Sequence, residues 1–182
     1  MRRLILSALI TLFAACPVSA EDRVEHGDWV SQFLGDKGEA STHDNGTAMF
    51  GMLCADRLCR YYYANGIDCD PGSNYPVMVT TAAGAMAIDA ICEPMKTANG
   101  DVKLFWIPES PKLNEALGQS EAIGIAFPLT SGQFRTNLFS MNGYDEAIAR
   151  MVEGLRERMG QEGAPSSEPE GDGDAPDNPG RT

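Results

Sequence analysis

Leu4 to Ala15 is an apolar run broken only by Ser7 and Thr11, and the basic pair Arg2-Arg3 precedes it. Val18-Ser19-Ala20 closes the segment on the small residues that leader peptidase accepts. This is the layout of a secretory signal peptide, too short for a good membrane span. The segment 1–20 is therefore expected to be removed, and the mature chain to begin at Glu21. A competing processing site at Cys16 has a poor context, with Phe13 and Pro17 flanking it, so lipid attachment is not expected. Export constrains the fold strongly. In an oxidising compartment, cysteines are read as disulfides before they are read as metal ligands.

Four cysteines remain after the leader: Cys54, Cys59, Cys69 and Cys92. Four cysteines admit three pairings. Cys54 and Cys59 flank a short hydrophilic segment centred on Asp56-Arg57, the pattern of a hairpin turn held at its base. That favours Cys54–Cys59 and leaves Cys69–Cys92. Zinc is disfavoured because the spacing lacks two CxxC knuckles. A thioredoxin-like role is disfavoured because no CxxC is present at all.

The hydrophobic pattern of the mature chain is mostly strand-like. Strands are expected over 28–34, 47–53, 58–64, 76–81, 84–92, 102–107, 123–129 and 133–140. In 84–92, Met86, Ile88, Ala90 and Cys92 fall on the more apolar face and should point to the core. Glu21–Gly27 reads as a polar lead-in, Gly35–Gly46 as a loop, and Asn99-Gly100 as a turn. Leu113, Ala116 and Leu117 have helical spacing within a short segment from Pro111 to Gln119. The long helix is Gly143–Met159, whose apolar stripe is Tyr144, Ile148, Met151, Val152, Leu155 and Met159. Asn142 suits its N-cap, Asp145 and Glu146 the positive end of its dipole, and Gly160 its stop.

Removing Arg2 and Arg3 with the leader takes the 14 basic residues to 12 against 26 acids, a net charge of −14. Phosphate backbones need a basic face, so nucleic acid is excluded as a partner, and an anionic membrane surface on the same ground. Residues 160–182 combine six acids with four prolines and five glycines and lack large apolar side chains, so a disordered acidic tail is expected. Asp172, Asp174 and Asp177 lack the spacing of a calcium loop. The reading is one disulfide-stabilised domain over 21–159, without stable membrane insertion once the leader is gone.

No catalytic constellation stands out, and no metal or cofactor is expected. The only histidines, His26 and His43, lie in polar sequence, and no GxSxG elbow exists. Asp68 and Asp70 flank Cys69, but the following Pro71-Gly72 makes them ordinary turn residues and poor calcium ligands. What is left for function is surface. Tyr61-Tyr62-Tyr63 is the best candidate, since strand alternation puts Tyr62 on the face opposite Tyr61 and Tyr63, and one face should be the less buried. Trp29, Phe105 and Trp106 are weaker candidates of the same kind.

Three segments carry a resemblance: Pro111-Lys112-Leu113-Asn114-Glu115-Ala116-Leu117-Gly118, Ile123-Gly124-Ile125-Ala126-Phe127, and Phe139-Ser140-Met141-Asn142-Gly143-Tyr144-Asp145-Glu146-Ala147-Ile148. Together they resemble the second half of the invasion-associated locus B family of small secreted bacterial proteins. Gly27-Asp28-Trp29-Val30 is similar to the family's opening strand, and Phe33 departs from it where the family carries a cysteine. The resemblance implies a mainly β, antiparallel, sandwich-like envelope domain with a short helix and one C-terminal helix. It also implies a link to host-cell invasion, and it supplies no catalytic residues. The expected function is a non-enzymatic periplasmic or secreted protein that binds a protein partner. Two alternatives are a periplasmic hydrolase built on Asp68, Asp70 and His43, and an inhibitor of a basic host enzyme.

Overall fold

A computed structural model describes residues 22–55, 58–97 and 100–162. The expected leader 1–20, the expected turns at Asp56-Arg57 and Asn99, and all but the first three residues of the tail expected over 160–182 lie outside the described residues. Among the described residues, ten strands form one sheet: β1 (Arg23–His26), β2 (Trp29–Leu34), β3 (Lys37–His43), β4 (Met49–Ala55), β5 (Leu58–Ala64), β6 (Asn74–Thr81), β7 (Gly84–Thr97), β8 (Gly100–Ile107), β9 (Ala122–Pro128) and β10 (Phe134–Ser140). Their order across the sheet is β1-β2-β3-β4-β5-β8-β7-β6-β9-β10. Every paired neighbour is antiparallel.

The mainly β, antiparallel architecture with one short and one C-terminal helix is as expected. The layering differs in detail from a two-sheet sandwich, because a single sheet curls until its ends meet. The Trp29 indole N–H donates to the Ser140 carbonyl at 2.8 Å, and Asp28 N to the Asn142 carbonyl at 3.0 Å. Asn137 Nδ2 donates to Asp44 at 2.5 Å, and Tyr63 donates to Asn137 Oδ1 at 2.5 Å. Curling lets one face of one sheet enclose the core, which holds Trp29, Phe50, Tyr61, Tyr63, Phe105 and Phe139.

Two sequence readings are corrected here. The polar lead-in contains β1, paired with β2. The segment read as a loop from Gly35 contains β3, a central strand with its middle five residues buried. Its small residues explain both the misreading and the fold. A side chain at Gly38 would collide with Met151 and Leu155, so the bare backbone is what lets the C-terminal helix lie on this strand. A residue that looks loop-like in isolation becomes a packing surface once a helix needs close approach.

The helix α1 (Pro111–Gly118) starts as its sequence requires. The Ser110 hydroxyl accepts from Leu113 N at 3.1 Å and Pro111 occupies the first turn. Leu113, Ala116 and Leu117 are its buried face. The helix α2 (Tyr144–Glu162) buries Tyr144, Ala147, Met151 and Leu155. Asn142 is not its cap: the carbonyls of Met141 and Gly143 accept from Tyr144 N and Ala147 N, while the Asn142 side chain faces Asp28. Nor does Gly160 stop the helix. The helix runs past it to Glu162, and Gly160 lacks the positive φ of a left-handed glycine cap.

Both disulfides pair as expected, Cys54–Cys59 and Cys69–Cys92, with Cα separations of 4.0 and 6.1 Å. Cys54 and Cys59 face each other directly across the β4–β5 hairpin. Their sequence separations of 5 and 23 set the loops each closes. The loop-entropy relation gives about 2 kcal/mol for the short bridge and about 3 kcal/mol for the long one. Urea unfolding of the two double Cys→Ser variants should therefore show the larger loss for Cys69/Cys92. Equal losses would remove loop length as the cause.

Candidate functional site

The three tyrosines proposed as an exposed binding strand are all buried, so Tyr61, Tyr62 and Tyr63 are corrected to structural residues. Tyr61 and Tyr63 face the core, as alternation requires. Tyr61 shares a hydrogen bond with the Tyr144 hydroxyl at 2.6 Å. Tyr62 points outward but is covered by a second cluster on the outer face, with Leu104, Trp106, Leu53 and Met95. Its hydroxyl lies where a side chain at Gly51 would be and donates to the buried Glu39 carboxylate. Gln32 Nε2 donates to the other Glu39 oxygen at 2.5 Å. Trp106 packs edge-on against Tyr62, and the Arg60 guanidinium sits 4.1 Å over Trp106 while pairing with Glu93 at 2.9 Å. Trp29 and Phe105 are buried in the main core.

Burial pushes the hydroxyls of Tyr61, Tyr62, Tyr63 and Tyr144 above the ordinary tyrosine value, and the neighbouring Glu39 carboxylate adds to the effect at Tyr62. Below about pH 10 these groups are protonated in both states and contribute no pH dependence. Above it the unfolded chain ionises while the folded chain resists. Stability is then lost by up to about 1.4 kcal/mol per pH unit per tyrosine. In an alkaline titration, most of the tyrosinate absorbance should appear together with unfolding. Smooth titration of all tyrosines in the folded protein would contradict this.

The residues of the hydrolase alternative are not joined into a site. Asp68 on the β5–β6 loop pairs with Lys103 Nζ at 2.6 Å, and that hydrogen bond holds its carboxyl below the usual carboxylate range. Asp70 lies on the same loop. His43 ends β3, and among the described residues no hydrogen bond links it to either carboxylate. Its neighbour Asp44 has a structural task, accepting from Gly46 N and Ala48 N at 2.9 Å each and from Asn137. Burial opposes ionisation of Asp44, but these hydrogen bonds outweigh it and hold its carboxyl low. His26 Nε2 lies 3.0 Å from Ser31 Oγ, yet Ser31 is fully buried and also accepts from Arg150, so it presents nothing to a substrate. Among the described residues, no group of three or more His, Cys, Asp or Glu is placed to hold a metal ion. No helix there is long and apolar enough to cross a membrane.

The exposed surface that stands out is elsewhere. Phe134 is 61% exposed and Leu138 69%, both on β10, and Met78 on β6 is 42% exposed; all three lie on the outer face of the sheet. The register shows what surrounds them. Phe134 opposes Pro128; Thr136, Ala126, Met78 and Ala87 form one row; Leu138, Gly124, Thr80 and Ala85 form the next. None of these residues is charged, in a chain of net charge −12, and the nearest charge on the same face of β7 is Asp89, opposite Pro76. β10 is also the last strand of the ladder. The sequence hid this face. Arg135 and Asn137 mark the opposite face of β10 as polar, so alternation alone turns Phe134 and Leu138 inward. Asn137 instead serves the closure of the curl, and Arg135 donates to the Asn65 carbonyl at 3.2 Å.

No family model and no curated protein matches the sequence. Among solved structures, invasion associated protein B from Bartonella henselae is similar at 14% identity and a TM-score of 0.52. The match covers 74% of this chain and 98% of that one. The two chains share a fold. The resemblance noted in the sequence thus has a loose structural counterpart that covers nearly the whole of that protein. The two disulfides fit a domain that folds in an oxidising compartment.

Proposed function

We propose that this chain is a non-enzymatic periplasmic or secreted protein that binds a protein partner, with an invasion-associated role. The observation that supports it best is the uncharged apolar face carrying Phe134, Leu138 and Met78. Large exposed apolar side chains grouped without charge on an edge strand are characteristic of an interaction surface. Asp68 and Asp70 share a loop, but Asp68 is engaged by Lys103 and, among the described residues, His43 is hydrogen-bonded to neither, which supports the non-enzymatic reading over the hydrolase. The shared fold with invasion associated protein B supports the invasion-associated role.

The face is tested by capture from envelope extract with the mature chain and with Phe134→Ser/Leu138→Ser. Both positions are exposed, so stability should hardly change. Partner capture should fall by about thirtyfold, the effect of losing roughly 2 kcal/mol when an interface anchor is removed. Unchanged capture by the folded double variant would sink the assignment of this face.

A further inference from the structure

We propose that the cleft between the β5–β6 loop and the β9–β10 loop receives a lysine or arginine side chain of the protein partner. This rests on the reading of the neighbouring apolar face as the docking surface. The cleft has a volume of about 450 Å³. Phe127 and Tyr75 form its floor, with rings stacked at 5.7 Å. Ile67 and Leu129 line its walls and Asp70 its rim. It is continuous with the apolar face, because Pro128 lines the cleft and is also the register partner of Phe134.

Its charge selects the occupant. Lys103 Nζ is engaged by Asp68 at 2.6 Å and by the Cys69 carbonyl at 2.7 Å, so the Asp68 charge is matched. Among the described residues the Asp70 carboxylate has no hydrogen-bond or ion-pair partner, and it remains as an unmatched negative charge at the rim. A long basic side chain meets both demands. Its methylene stem packs on Ile67, Leu129 and the aromatic floor, and its cationic head reaches Asp70. The net negative charge of the chain steers such a partner inward. The cleft is also held in shape before anything binds. Asp70 N donates to the Tyr75 hydroxyl at 2.9 Å, Ser73 N to the Asp70 carbonyl at 3.1 Å, and Cys69 is tied to Cys92. Preorganisation of this kind lowers the ordering cost of binding.

The test uses the mature chain and three small probes: N-acetyl-lysine methylamide, N-acetyl-arginine methylamide and the uncharged N-acetyl-norleucine methylamide. The two basic probes should give saturable amide chemical-shift changes at Ile67, Tyr75 and Leu129, and norleucine should not. Asp70→Asn should weaken the basic probes about tenfold, the loss of one charge-assisted hydrogen bond. Lys103→Gln frees the Asp68 carboxylate and should tighten them severalfold, a gain that damage to the fold does not produce. Equal shifts from norleucine, an unaffected Asp70→Asn variant, or weaker binding in Lys103→Gln would each overturn the proposal. The apolar face fails separately. Phe134→Ser/Leu138→Ser should leave probe binding unchanged while reducing partner capture. Capture lost without any probe binding sinks the cleft alone, and probe binding with capture retained sinks the face alone.

Discussion

Trp29→Ala should lower the unfolding free energy by about 4 kcal/mol, within the range for truncating a buried aromatic side chain. Trp29 is fully buried and packs edge-on against Phe50 and Tyr144, with ring centroids at 6.0 and 5.0 Å. It therefore connects β2, β4 and α2. Its indole N–H adds the 2.8 Å bond to the Ser140 carbonyl, where β10 ends. Truncation leaves a large cavity and removes that donor at the place where the curled sheet closes. Trp29→Phe keeps most of the volume and loses the donor, so its cost should fall nearer the 1–3 kcal/mol of an unmade buried hydrogen bond. Urea denaturation measures both through the midpoint at constant slope. A loss below about 1 kcal/mol for the alanine variant, by the same cavity argument, would show that the closure does not depend on this residue.

Gly143→Ala is expected to cost about as much, for a different reason. Gly143 sits between β10 and α2 with φ +89°, and an added Cβ would overlap the backbone carbonyl of His26. The positive φ costs roughly 1–3 kcal/mol for a residue with a side chain, and overpacking against backbone adds a similar amount. Gly132 is the internal control. Its φ is +80°, but nothing lies near the added atom. Gly132→Ala should show only the dihedral part. If the two alanine variants lose the same stability, the close approach of the β1–β2 turn to the start of α2 is not what demands glycine.

Much of this architecture is legible in the sequence because it is local. The hairpin cysteines, the strand preference of Leu58–Ala64, the two faces of β7 and the periodicity of both helices each depend on neighbours a few residues away. The misread parts depend on partners far along the chain. β3 looks like a loop because Gly38, Ala40 and Ser41 have little intrinsic strand preference, and they are a strand because Met151 and Leu155 of α2 need a surface without side chains. Tyr62 looks like the exposed member of its trio because alternation turns it away from Tyr61 and Tyr63. It is buried because Trp106, forty-four positions later, pairs beside it and Gly51 leaves room for its hydroxyl.

The candidate surface was the least legible part. From the sequence alone, the two disulfides, a strand-rich domain with one short and one long helix, and the lack of a recognisable catalytic motif all follow. Each of these rests on composition, spacing or period. Which face of β10 meets water rests on the curl of the sheet, which brings Asn137 to Asp44 and Tyr63 and so commits the polar side of that strand to the interior rim. Phe134 and Leu138 are left outside as a consequence. Alternation states that two sets of side chains point oppositely, and only the closed sheet decides which set is inside.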